Sequence, residues 1–442
     1  MKLNKEEKSW ILYDVANSAF VLILTATIPI YFGGLMKAEG VNSVVSNPLV
    51  QLFFADNAQA ALAGGVDSQA FAALQTGLFG MSTSISVFVT AVSAPILGSI
   101  ADIKGMKKKL FSLFLFLGLV GVLILGVTTK WTAFLFLVII TRIGFSGANV
   151  FYDSMLVDVA SNERMDYISS AGYAYGYIGS IIPFIVGIYL ILALPFNLDV
   201  ATATQISFII TAAWWAILAI PLLKNVKQTH YSDKSIEEKR SVFKNLKTTM
   251  KKIKDDKRIL FYIIAYFCYI DGVYTIISMA TTYGSEVGIS DNQMIIALLV
   301  TQIVAFPFAI LAGRLSKKFH TLNILRTYIL IYILIAFIGF IMTSAWQFWV
   351  LAIAVGMAQG GIQSLSRSYF GQIIPKKESN EFFGFFDIFG KFADFFGPLI
   401  LAFSAAQFGH SKYGILMLNV LFITGFILLG KVLKIDRKRK LG

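Results

Sequence analysis

Apolar residues in this chain of 442 residues gather into twelve long runs, and that pattern narrows the possible folds more than any other feature. The runs fall near 10–35, 72–97, 110–128, 132–156, 167–193, 204–223, 259–283, 292–312, 323–343, 347–370, 382–406 and 413–431. A helix that crosses a bilayer needs about 20 mostly apolar residues, and these runs have that length. Strand-like alternation is absent. Charged residues make up only 14% of the chain, against roughly a quarter in a soluble protein. The expected fold is an all-α membrane protein with twelve transmembrane helices.

Positive charges set the orientation of such a chain. With the N-terminus inside, 33 of the 38 Lys and Arg fall in the inside segments 1–9, 98–109, 157–166, 224–258, 313–326, 367–381 and 431–442. Only Lys37, Lys130 and Lys412 fall outside, and Arg142 and Lys391 lie within runs. Both termini are therefore expected in the cytoplasm. The net charge of +13 reads as a membrane-orientation signal, because it is scattered over short loops, and no nucleic-acid partner is expected. MKLNKEEK precedes a run too long for a secretory signal, so the first helix is expected to remain as an anchor. The single cysteine, Cys268, excludes an intramolecular disulfide and any multi-cysteine metal site. His230, His320 and His410 show no zinc spacing, and neither a phosphate-cradling GxxxxGK[ST] loop nor a GxSxG elbow occurs. Neither a cofactor nor enzyme chemistry is expected.

Residues 224–258 form the longest inside stretch and separate two six-helix parts, 1–223 and 259–442. In this Lys-rich linker Ser235 and Glu238 have capping-box spacing. Phe243, Leu246, Met250 and Ile253 then recur at helical spacing opposite lysines. That pattern fits an amphipathic helix on the inner leaflet, and equally a solvated linker helix. Between the second and third runs, residues 98–109 read GSIADIKGMKKK. Glycines allow a tight turn there, an Asp can cap a neighbouring helix N-terminus, and the basic cluster faces the inner membrane surface. The stretch resembles the loop signature of the major facilitator transporters, matched at Gly98, Asp102, Gly105, Lys107 and Lys108, with Met106 in place of the usual Arg. Its second-half counterpart, GRLSKKFH from 313, keeps Gly313 but has Lys317 and His320 where Asp and Gly would stand, so the second lock is expected to be degenerate.

Four further stretches narrow the resemblance. WILYDVANSAF at 10–20, FYDSMLVDVAS at 151–161, YIDGVYTI at 269–276 and GGIQSLSRSYFGQIIPKKESNEFFGFF at 360–386 are similar to the unidentified-major-facilitator family, bacterial relatives of the fungal vacuolar amino-acid effluxers linked to autophagy. The resemblance runs nearly the whole chain. It implies a multi-pass secondary transporter of the plasma (inner) membrane, a small-molecule substrate with amino-acid efflux as the best-known activity among relatives, and a monomer. One departure is the segment 36–71, which reads as a long exposed outer loop.

Polar residues line up within the runs at the i, i+4, i+7, i+11 spacing of one helical face. Arg142, Ser146, Asn149 and Asp153 do so in the fourth run, and Asp271, Thr275, Ser278 and Thr282 in the seventh, with Tyr274 beside them. Asp14, Asn17 and Ser18 start a shorter stripe in the first run that continues to Thr25. Gln359, Gln363 and Ser366 align in the tenth, and Tyr173, Gly176 and Ser180 in the fifth with Tyr177 adjacent. The resemblance places the first, fourth, seventh and tenth helices around a central cavity. A charge at mid-helix costs about 2.5–3.5 kcal/mol on insertion scales and survives by facing water or a partner. Arg142 and Asp271, at similar depth in opposite halves, are candidates for holding the two ends of a zwitterion or for a switchable ion pair; a permanent structural salt bridge is the alternative. Asp271 is also the proton-coupling candidate. Asp14 reads as favouring its helix N-terminus, Asp153 as gate or cavity wall, and Asp158 as loop structure. Arg367 reads as a headgroup anchor or a cap on the last carbonyls.

In the eleventh run Asp387, Lys391 and Asp394 share one face, at i, i+4 and i+7, among seven phenylalanines in FGFFDIFGKFADFFGPL. Gly384 and Gly390 would let a neighbouring helix approach closely. The trio reads as a proton relay or gate, as a charge network locking the inner end against the loop that holds Asp102, or as an interfacial Asp387. The expected function is alternating-access transport of a small polar solute such as an amino acid, driven by protons. A lipid or drug exporter, or a receptor or assembly factor that moves nothing, are the alternatives.

Overall fold

The computed structural model describes residues 2–232, 242–280, 283–284, 287–408 and 410–441. They form twelve long helices: α1 (Lys5–Glu39), α2 (Gln69–Ala101), α3 (Met106–Val127), α4 (Trp131–Ser154), α5 (Asn162–Ala193), α6 (Val200–Asn225), α7 (Lys257–Ser278), α8 (Asp291–Leu315), α9 (Thr321–Phe340), α10 (Ala345–Ile373), α11 (Ser379–Phe408) and α12 (Lys412–Leu441). Among the described residues there is no strand; an isolated bridge joins Ile103 to Ser232. Among the described residues, eleven of the helices contain a stretch long and apolar enough to cross a membrane.

Local chemistry sets several helix ends. Asn4 accepts the Glu7 N–H at 2.7 Å while the Glu7 carboxylate takes the Asn4 N–H, a reciprocal cap on α1. Ser344 and Gln347 form the same device at α10. In the first six helices α1 packs on α5 and α6, α3 on α4, and α2 on α4. In the last six α7 packs on α11 and α12, α8 on α10, and α9 on α10 and α12. The two sets meet where α2 lies along α11 and where α5 lies along α8 and α10. Glycines permit the first of these contacts. A Cβ on Gly98 would sit 2.8 Å from the Asn380 carbonyl carbon, and one on Gly384 would sit 2.7 Å from the Ala94 carbonyl oxygen. The α2 and α11 backbones therefore touch directly.

The segment 36–71 corrects the expectation of an exposed loop. α1 continues to Glu39 and is followed by three short helices, Val41–Val45, Pro48–Phe53 and Ala55–Gly64. Val44, Val45, Val50, Ala58 and Ala61 are buried. The Glu39 carboxylate accepts the Trp131 N–H at 2.9 Å, and Lys37 pairs with Asp67 at 2.8 Å. The buried valines and alanines pack against α1 and α2 and join the core of the long helices.

The start of the linker folds back onto the α2–α3 turn. Ser232 donates its N–H to the Asp102 carbonyl at 2.7 Å, and Gln228 bridges the Ala101 carbonyl and the Gly105 N–H. Ser235 and Glu238 lie outside the described residues, as do the side chains of Phe243 and Leu246. A helix does form at Val242–Asp255, with Thr249 and Ile253 buried and Met250 exposed.

Candidate functional site

Gln359, Gln363 and Arg367 step by four along α10, and the last of them is the centre of the polar interior. Arg367 is 4% exposed. Its guanidinium donates to Asp14 of α1 at 2.9 Å, to Asp153 of α4 at 2.8 Å and to the Ser169 hydroxyl of α5 at 3.0 Å. It also lies over the rings of Trp10 and Tyr173, 4.6 and 4.4 Å from their centroids. A cation from one six-helix set is thus held by two carboxylates and two aromatic faces of the other. This corrects two expectations, the headgroup anchor for Arg367 and the helix-end role for Asp14. One more four-residue step beyond Gln363 would have found Arg367 from spacing alone.

Beside this cluster a cavity of about 170 Å³ opens between the two helix sets. That space is well above the ~10–15 Å³ that a single water needs. Asp153, Tyr173 and Arg367 line it together with Tyr266, Tyr274 and Gln363, and α11 contributes Asp387, Gly390 and Lys391. Lys391 pairs with Asp387 one turn away on its own helix. Tyr177 donates its hydroxyl to Gln363 at 3.0 Å. Six of the residues singled out by spacing, Asp153, Tyr173, Tyr274, Gln363, Asp387 and Lys391, therefore face one space. Asn17 and Asn149 meet each other instead, with a side-chain hydrogen bond of 2.9 Å between α1 and α4.

Other expected residues stand elsewhere. Arg142 is half-buried on α4, outside the set that lines the cavity. Asp271 is buried against α11, where its carboxylate accepts the Gly397 N–H at 2.8 Å. The next residue, Pro398, has no N–H and breaks the helical ladder, so a carboxylate from α7 braces the interrupted turn. The facing pair of Arg142 and Asp271 is therefore replaced by the pairs Arg367–Asp153 and Lys391–Asp387. Thr275 donates to the Asp271 carbonyl at 2.7 Å, and with Gln359 it lines a separate, apolar cavity of about 110 Å³ inside the last six helices. The Asp394 side chain lies outside the described ones.

Polar contacts between the two sets gather at the end of the bundle where α1 begins and α12 ends. Asp102, at the end of α2, accepts the N–H of Asn380 at 2.9 Å, its side-chain amide at 2.8 Å and the N–H of Glu381 at 3.1 Å. It caps the first turn of α11 and complements that helix's dipole. Gly105 holds φ +77°, which the turn into α3 requires. Lys107 is buried, 2.5 Å from Asp158 and 3.3 Å from the Ser379 hydroxyl, and Lys108 donates to the Leu223 carbonyl at 2.8 Å. Asp158 also accepts from the N–H groups of Thr229 and His230, so it ties the linker to this turn. On the pseudo-equivalent side Gly313 abuts Ser170, but Lys317 lies over the Tyr167 ring and the carboxylate comes from α5. That group, Asp166, accepts from Thr321 and Ser368 at 2.5 Å and from Gln372 at 2.7 Å. The Ser169 hydroxyl donates to the Ser364 carbonyl at 2.7 Å, and the Ser170 and Ser364 hydroxyls lie 3.0 Å apart. The residues of α11 that Asp102 holds are Asn380 and Glu381, about two helix turns before Asp387.

A family model described as "Vacuole effluxer Atg22 like" matches residues 3–441. The uncharacterized MFS-type transporter YxiO of Bacillus subtilis (strain 168) is 40% identical over 437 residues, 98% of this chain and 95% of that protein. Autophagy-related protein 22 of Yarrowia lipolytica is 23% identical over 303 residues, 62% of this chain and 50% of that protein. The solved structure of the human organic anion transporter MFSD10 (TETRAN) superposes with a TM-score of 0.73 at 14% identity, covering 96% of this chain and 99% of that one.

Proposed function

This chain belongs to the Atg22-like vacuole effluxer family and is a secondary transporter of the major facilitator fold, and we propose that it carries an amino acid or a similar small zwitterion, coupled to protons. The observation that carries the substrate reading is the charge of the central cavity. Asp153 from the first set of helices faces Asp387 and Lys391 from the second, with tyrosines and Gln363 between them. Lys391 suits a substrate carboxylate, and the two aspartates suit an ammonium group. A zwitterion that takes Lys391 as its partner releases Asp387 to bind a proton. Coupling then follows from which ion pair is made at each stage of alternating access, as the two halves, 1–223 and 259–442, rock about the site. The membrane is the plasma membrane, with both termini in the cytoplasm, in keeping with the bias of Lys and Arg among the loops.

The test is flux of pooled labelled amino acids into proteoliposomes under an imposed pH gradient, with Asp387→Asn alongside the unmodified protein. Unmodified protein is expected to accumulate substrate against its gradient. Asp387→Asn is expected to keep exchange and lose accumulation. If no amino acid moves in either direction, the substrate class is wrong.

A further inference from the structure

The linker helix Val242–Asp255 has two faces that meet different surroundings. On one face Thr249 and Ile253 are buried. The Thr249 hydroxyl donates to the Glu381 carboxylate at 2.6 Å, and Lys252 at the edge of that face pairs with Glu378 at 2.6 Å. The N–H of Glu381 is itself held by Asp102. This face therefore grips the same turn through which the first six helices close on the last six.

On the opposite face Lys247, Lys251 and Lys254 are all exposed. They recur at i, i+4 and i+7 as a single stripe, with the exposed Asp255 one turn beyond Lys251 at its far edge. Met250 stands at its edge, 37% exposed. The helix runs almost directly into α7, which begins at Lys257, so the stripe lies within a few turns of a spanning segment. Asp256, between the two helices, pairs at 2.9 Å with Arg439 from the end of α12. A second basic group is thereby held beside the first.

We propose that the Lys247–Lys251–Lys254 stripe docks on anionic phospholipid headgroups and that this contact presses the opposite face onto Glu378 and Glu381, stabilising the closed end. The occupant follows from charge complementarity and position: three exposed ammonium groups, against the single carboxylate of Asp255, and an exposed Met beside the bilayer boundary match a negative headgroup layer with an apolar floor. Each lysine near an anionic surface favours it by roughly fivefold, so three favour it by ~100-fold over a neutral surface. The lipid surface thereby becomes a regulator of which end of the transporter is open.

Amide hydrogen exchange of the full-length protein tests this without reference to substrate. The protein would be placed in nanodiscs of phosphatidylcholine alone or of equal parts phosphatidylcholine and phosphatidylglycerol. Exchange in 242–255 and in the first turn of α11 is expected to slow by tenfold or more in the anionic discs. The triple variant Lys247→Gln, Lys251→Gln, Lys254→Gln should abolish the difference, and the matching triple Lys→Arg variant should keep it. Equal exchange in both lipids, or a difference that survives in the Gln variant, overturns the docking. Protection of 242–255 with no change at the start of α11 overturns the link to closure.

Discussion

At the scale of single residues, Arg367 ties the interior together. One guanidinium serves Asp14 and Asp153, whose helices belong to the other six-helix set. Arg367→Gln leaves both carboxylates without their cation, and the expected loss is about 3–5 kcal/mol of stability, read as a lower thermal midpoint in detergent. Adding Asp14→Asn to that variant should restore part of the loss; no recovery would mean that the two groups are not coupled. Lys391→Gln should lower the midpoint less than Arg367→Gln does, since it strands one carboxylate, 25% exposed, rather than two, yet abolish zwitterion flux. Spacing on a single helix made Asp153, Gln363 and Lys391 legible, because each sits on a polar stripe inside an apolar run. Arg367 and Asp14 also sit on such stripes but read as end groups, since each lies near a helix end where headgroups or the helix dipole account for a charge locally. Their bond joins residues 353 positions apart. For Asp271 the stripe identified the right face of α7, but two neighbours share that face. The deciding fact was Pro398 on α11, which left a turn for a carboxylate to brace.

At the scale of elements, the contact of α2 with α11 joins the first six helices to the last six. Backbone meets backbone at Gly98 and Gly384. Gly98→Val should wedge this contact open while each set of helices still folds. The expected readout is faster labelling by a membrane-impermeant thiol reagent at Ser379→Cys, in a Cys268→Ala background, together with loss of flux; unchanged labelling would show that α2 and α11 need not touch for closure. Asp102→Ala removes the acceptor for three N–H groups at the start of α11 and should weaken the same closure by about 1–2 kcal/mol. The loop signature told in advance that an Asp at 102 caps a helix N-terminus. It did not tell which helix, because the partner lies in the other half of the chain. The second lock is altered, as Lys317 and His320 suggested, but its carboxylate has moved across the interface to Asp166 on α5. Nothing in the loop itself signals that exchange.

At the scale of the whole molecule, the twelve apolar runs map one to one onto α1–α12, since hydrocarbon leaves a long apolar run no other regular conformation. The segment 36–71 escaped the same reasoning, because Gly, Pro, Asn and Asp break its apolar residues into stretches too short to span. Closure at one end predicts motion there. Cysteines at Ser170 and Ser364, whose hydroxyls lie 3.0 Å apart, should form a disulfide on oxidation in a Cys268→Ala background. Oxidised protein is expected to lose flux and to regain it with reductant; flux that persists under oxidation would mean that this end need not open. The three short helices after α1 have a practical consequence of another kind. They pack on one another and on α1 and α2, and so move with the first six helices alone. A transporter that hides nearly all its mass in lipid gives electron-microscope images little by which to align them. A small antibody fragment raised against these short helices would supply a rigid marker, and a change in its tilt against the rest of the particle would test whether the halves rock.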